Sequence, residues 1–193
     1  MKYTKIPETT FQNLQLNAGV LLSTFDPGTA EVANESIIGA TTGGVNFTAT
    51  PAFSDYGEDI DNCPKNMKEL KKLDSWEISL SGTYVTVDAN AVKALVGAAD
   101  VSGNKITPRN DLKLTDFTDV WWVGDYSDKN GESNGGFMAI HLMNALSTSG
   151  FHIKSGDKAK GQMSMEYTAH YSIDDPKKVP FEMYIKAGTA EST

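Results

Sequence analysis

The chain has 193 residues, of which 39 % are hydrophobic, with a formal net charge of -8 and a sequence pI of about 4.8. That balance argues against a groove that grips nucleic acid, which needs Lys and Arg to displace counterions from phosphates. A single cysteine excludes an internal disulfide, and no apolar run approaches a membrane span.

The first fifteen residues are polar, without the apolar stretch of a secretory signal, and read as a flexible N-terminal arm (about 1–15). The first strands are expected in "LNAGVLLSTF" and "GGVNFTAT". About two dozen residues then separate "GGVNFTAT" from the next strand, "WEISLSGTYVTV", in which Gly82 marks a bulge. A connection of that length is usually functional or disordered. It carries Asp55, Glu58, Asp59 and Asp61, then Cys63, then Lys65, Lys68, Lys71 and Lys72. A short helix is possible at "PKNMKELKKL", where Met67, Leu70 and Leu73 recur every three residues.

"DANAVKALVG" has the pattern of a helix, with Asp88 as N-cap, Val92, Leu95 and Val96 on one face, and Gly97 as the stop. "TDVWWVGDY" and "GFMAIHLMNALS" read as a long hairpin joined by the turn-rich "SDKNGESNGG". Met138, Ile140, Leu142 and Leu146 share a face that Asn144 interrupts, so Asn144 is either hydrogen-bonded or the site of a bend. Adjacent Trp121 and Trp122 must face opposite sides. Either one is exposed or covered by a partner, or layers pack on both sides of the strand. "GFHIK", the strictly alternating "MSMEYTAHYS" and "VPFEMYIK" complete about eight strands. The expectation is one mostly-β domain of two packed antiparallel sheets, a sandwich or partial barrel, with one short flanking α-helix and a flexible tail (about 187–193).

Sites for chemistry are hard to find. Read as a calcium loop from Asp59, the acidic segment puts Cys63, Pro64 and Leu70 where oxygen, glycine and glutamate are needed. "DKNGESNGGF" fails similarly, with Tyr126 and Phe137 at ligand positions. Cys63 has no histidine nearby in sequence; His141, His152 and His170 all lie on later strands. Nucleophile-elbow, zinc-protease and phosphate-loop motifs are missing from the sequence. The expectation is no catalytic, cofactor-binding or metal site.

The segment "GATTGGVNFTATPAFSDYGEDIDNCPKNMKELKKLDSWEISLSGTYVTVDANAVKALVGAADV", followed by "GFHIKSGDKAKGQMSMEYTAHYS", resembles the major tail, or tail tube, proteins of long-tailed bacteriophages and prophages. That family shows a "GATxGG" strand, an extended acidic-and-Lys segment, a "W-E" strand and a short helix ending in Gly. A "GKG"-like turn then precedes an alternating strand; here it reads Lys158, Ala159, Lys160, Gly161. The resemblance covers roughly Ile37 to Lys186; Cys63–Pro64 and the double Trp fall outside it. It implies hexameric rings stacked into a tube, partnered by tape-measure, tail-tip and tail-terminator proteins. It also implies assembly in a bacterial cytoplasm, residence in the virion, and no membrane insertion. Genomic DNA would pass the lumen without specific binding, which an acidic or neutral lining favours.

On that resemblance the long loop is a docking element. Exposed charge pairs contribute little, so Phe53, Tyr56, Ile60, Met67 and Leu70 are expected to carry the contact, with Trp121 or Trp122 as further interface candidates. Rival expectations are a tail-tip adaptor or capsid decoration protein of similar build, and a carbohydrate-binding β-sandwich using a Trp as platform. A contractile-tail tube would read the same in sequence.

Overall fold

The computed structural model describes residues 5–7, 10–86, 88–126 and 135–188. Residues 127–134 of the turn expected over 127–136, parts of the N-terminal arm and the tail from 189 lie outside the described residues. Among the described residues, eleven strands and one α-helix follow in order. They are β1 (Gln15–Leu22), β2 (Ile37–Gly39), β3 (Thr41–Asp55), β4 (Lys71–Tyr84), α1 (Ala89–Val96), β5 (Ala99–Ser102), β6 (Lys105–Pro108), β7 (Thr118–Tyr126), β8 (Gly136–Ser147), β9 (His152–Lys154), β10 (Gln162–Thr168) and β11 (Phe181–Lys186).

All eight expected strands form, and β2, β5 and β6 are additional. The β5–β6 hairpin turns at Gly103–Asn104, with Gly103 at φ 59°. A Gly-Asn pair between two short apolar-bearing runs is itself a hairpin signal. The expected helix forms as capped: the Asp88 side chain accepts from the Ala91 N–H, and the Gly97 N–H donates to Lys93 O at φ 83°. Its buried residues are Ala91 and Leu95, while Val92 and Val96 are half-buried. The second helix does not form. Only a 3₁₀ turn at Lys68–Leu70 appears, because Asn62 and Asn66 adopt left-handed turns and Met67 is extended.

The strands run in the order β2-β1-β7-β8-β10-β4-β3, with β11 on the other edge of β8 and β9 beside β10. Strand β8 joins two limbs. Its first part pairs with β7 and β11, and its last residues, Leu146 and Ser147, pair with β10. Between these parts Asn144 sits at φ 50°, with its amide donating to His170 O at 3.2 Å and its N–H to Asp119 Oδ1 at 3.1 Å. Asn144 is thus both bent and hydrogen-bonded. The bend shifts the pleat, so Ile140 and Leu142 before it and Ala145 after it share one core, and Leu146 loses the place that alternation assigned it.

The limbs pack in sandwich fashion. The main core joins Leu21, Val120, Ile140 and Leu142 to Ile78, Leu80, Tyr84, Met163, Met165 and Tyr167, with Leu95 of α1 closing one end. A second core lies on the other side of the first limb, where Leu22, Phe25, Trp121, Val123 and Ala139 meet. Both faces of β7 are therefore covered, and the sheet does not close into a barrel. Below α1, Arg109 makes two hydrogen bonds to buried Asp116, at 2.6 and 2.8 Å. The Lys113 amide and then this guanidinium hold the Asp116 carboxyl below the usual carboxylate value.

Candidate docking surface at the ribbon tip

Strand β3 is an edge strand, and β10 covers its partner β4 only over Ser79–Tyr84. Beyond that point β3 and β4 continue as a two-stranded ribbon to the pair Asp55 and Lys71. Residues 71–75 are all exposed, and alternation disappears from the sequence because neither face of the ribbon has a layer to pack on. The connection expected to span two dozen residues is consequently shorter, 56–70. Pro51 is accommodated because it lies on the sheet edge. The expected bulge lies opposite Gly82, on β3, where the register shifts between Thr41 and Val45. Gly82 itself is closely packed: a Cβ there would lie 2.6 Å from the Met165 methyl.

The tip is tied by its own polar groups. Asp55 Oδ1 accepts from the Gly57 N–H at 2.9 Å and Oδ2 from the Asn66 N–H at 2.8 Å, joining the two sides of the loop. Those two amides, Gly57 first, hold the Asp55 carboxyl below its usual value. The Tyr56 N–H donates to Leu70 O at 3.0 Å, extending the ladder. A second bulge places Asp74 beside Ser54 and Lys72; the Ser54 hydroxyl donates to its carboxylate, and the Lys72 ammonium lies 3.4 Å away.

Inside this frame Gly57, Cys63 and Leu70 pack together. A Cβ on Gly57 would lie 3.2 Å from both the Cys63 sulfur and a Leu70 methyl. Leu70, expected among the contact residues, is half-buried and holds the loop from within. Phe53, Tyr56, Ile60 and Met67 are exposed as expected, and Leu73, expected on a helix face, joins them. The Lys71 ammonium lies over the Phe53 ring, 5.4 Å from its centroid. Glu58, Asp59, Asp61, Lys65, Lys68, Lys71 and Lys72 surround this patch as exposed charges. Lys68 pairs with adjacent Glu69 at 3.6 Å.

The Cys63 sulfur sits 3.5 Å from Met67 Sδ and 3.6 Å from Pro64 O, a packed position within the loop. Among the described residues, no group of three or more His, Cys, Asp or Glu could hold a metal ion, and no helix is long and apolar enough to cross a membrane.

The two tryptophans lie apart from the tip. Trp121 is buried and stacks on His141 with centroids 3.9 Å apart and planes 6° from parallel. Trp122 is half-buried, packs against the main core, and donates its indole N–H to Ala18 O at 3.0 Å. Both rings are thus engaged within the chain, as expected where layers cover both sides of a strand; neither stands out as a free interface platform. The sequence signal for this lay in Leu21–Leu22, which pair across from Trp122 and Trp121 and likewise divide between the two cores. Comparison with known proteins adds no relative: no family model matches the chain, and no curated protein matches its sequence.

Proposed function

We propose that this chain is a non-catalytic structural subunit that stacks on copies of itself, in the manner of a phage tail tube. The observation that supports this reading most is the projecting ribbon. A two-stranded ribbon is marginal alone in water, yet this one extends past its sheet and ends in an ordered tip bearing exposed Phe53, Tyr56, Ile60, Met67 and Leu73. Several exposed apolar side chains at one projecting end, set among charges, suit an interaction surface. The fifteen-residue edge strand β3 is a further sign, since an open edge of that length is a template for pairing with another chain. Lateral pairing would close a ring, hexameric as the resemblance to tail tubes implies, and tip contacts between rings would extend it into a tube. The acidic chain suits a lumen that DNA passes without sticking. Tape-measure, tail-tip and tail-terminator proteins are the further partners this reading implies.

The test is negative-stain electron microscopy of concentrated protein beside a variant lacking residues 56–67. The wild type is expected to give rings or hollow tubes, and the variant folded subunits that do not stack. Tubes of normal length from the variant would refute the docking role of the tip.

A further inference from the structure

The limb built from β3, β4 and β10 has two unlike faces. One points into the main core through Ile78, Leu80, Met163, Met165 and Tyr167. On the other, the register sets Thr48, Ser79 and Thr168 in one row and Asn46, Ser81 and Glu166 in the next. Among the described residues, neither core includes a side chain from this second face. Although the chain has 17 Lys and Arg residues, none falls within 45–50, 77–84 or 162–168, and the charged groups there are Glu77 and Glu166. Lys154 reaches this side only at its margin, where the three-residue β9 pairs it with Gln162.

The edge and the layers of the fold give this face a direction. Strand β3 ends the limb and has no charged residue from Thr41 to Ser54, although charge is a common guard on an open edge. Pairing through that edge continues the sheet into the next copy and leaves the hydroxyl face bare. The other side is deep. Beyond the main core lies the first limb, and beyond that the second core, where Phe25 packs on Trp121 with centroids 5.7 Å apart. Room in a ring grows with radius, so the deep side fits outward and the bare face inward. Lys93, Lys105 and Lys186 belong to α1, β6 and β11, outside this limb.

We propose that this hydroxyl face of β3, β4 and β10 lines the bore of the stacked tube and is the surface that DNA passes. The inference rests on the stacking reading and states which face of the subunit points inward. Serine and threonine hydroxyls hold water and offer phosphate no positive charge. Glu77 and Glu166, repeated in every copy, repel it. A basic lining would instead gain affinity with each counterion released from the DNA.

Thiol labelling tests this in a Cys63→Ser background, with Ser164→Cys on the lining and Lys105→Cys on the β5–β6 hairpin, both exposed in the single chain. Unassembled subunits should react at either site with a small maleimide and with a bulky polymer-linked one. In tubes the Lys105→Cys thiol should keep both reactions, while the Ser164→Cys thiol keeps the small reagent and loses the polymer. Full polymer reaction at Ser164→Cys in tubes would put the face outside, and loss of both reagents would put it in a contact; either overturns the assignment and leaves the stacking reading standing. Ser81→Cys repeats the test on β4 if Ser164→Cys does not assemble, and failure of both to assemble would likewise place the face in a contact. As a second readout, tubes carrying Glu77→Lys with Glu166→Lys and formed around duplex DNA should retain it at low salt and release it as salt rises, whereas wild-type tubes should not retain it. Equal retention by both would overturn the assignment. If no rings or tubes form at any concentration, the stacking reading fails and the bore assignment with it.

Discussion

Replacing Tyr56 and Ile60 together by Ala separates docking from folding at the ribbon tip. Their side chains are 59 % and 51 % exposed, so roughly half of each is still in water in the single chain. Burying a whole side chain of this kind contributes about 1.5–3 kcal/mol, so the remaining halves give the pair about 2–3 kcal/mol per tip. At about 1.4 kcal/mol per tenfold, each tip contact weakens about 30- to 150-fold. Contacts made together around a ring compound that loss, so stacking should fail at concentrations where the wild type assembles. The folded subunit should scarcely notice: exposed substitutions usually stay within about 0.5 kcal/mol, or about 2 °C in a chain of this size. Light scattering against concentration reads assembly, and a thermal melt reads folding. Assembly at the wild-type concentration would refute the patch as the contact. Loss of assembly with a matching loss of thermal stability would show that the tip serves the fold instead.

Two further outcomes test the interior. Burial raises the Tyr84 and Tyr167 phenols above their ordinary value of 10.0. The unfolded chain therefore ionises first, and the stability these protonated phenols contribute is complete below about pH 10 and falls as pH rises, by up to about 1.4 kcal/mol per pH unit each. Phenolate absorbance followed beside circular dichroism should show the last two of the seven tyrosines ionising only as the chain unfolds; full titration near pH 10 on a folded protein would contradict their burial. Gly19→Ala should cost about 1–3 kcal/mol. Gly19 sits at φ 70°, and an added Cβ would lie 2.5 Å from Trp122 Nε1 and 2.7 Å from Val123 O. A lowered denaturant midpoint with altered Trp emission is expected, and an unchanged midpoint would refute the close tuck of Trp122 over β1.

The long connection shows where sequence reasoning stops. Alternation locates a strand by the contrast between a buried and a wet face, and the outer ribbon is wet on both. Its residues therefore looked like loop, and Met67, Leu70 and Leu73 looked like a helical stripe. In the folded chain Leu70 turns in against Gly57 and Cys63, while Met67 and Leu73 face solvent. The charged and apolar composition of the tip is legible in the sequence; its order is not, because the Asp55 carboxylate ties the neighbouring Gly57 amide to the Asn66 amide on the far side of the loop.

The sequence by itself determined the elements whose cause is local. Strict alternation built β10, Asp88 and Gly97 bounded α1, and the polar residue inside an apolar face marked the bend at Asn144. Tertiary structure alone decided how those elements face one another. It placed Trp121 and Trp122 in separate cores because a second layer lies on each side of β7. It let β8 belong to both limbs, and it carried the β3–β4 ribbon clear of the sheet. Local propensity acts within a few residues, whereas these placements depend on pairings between strands far apart in the chain, which only the folded sheet brings together.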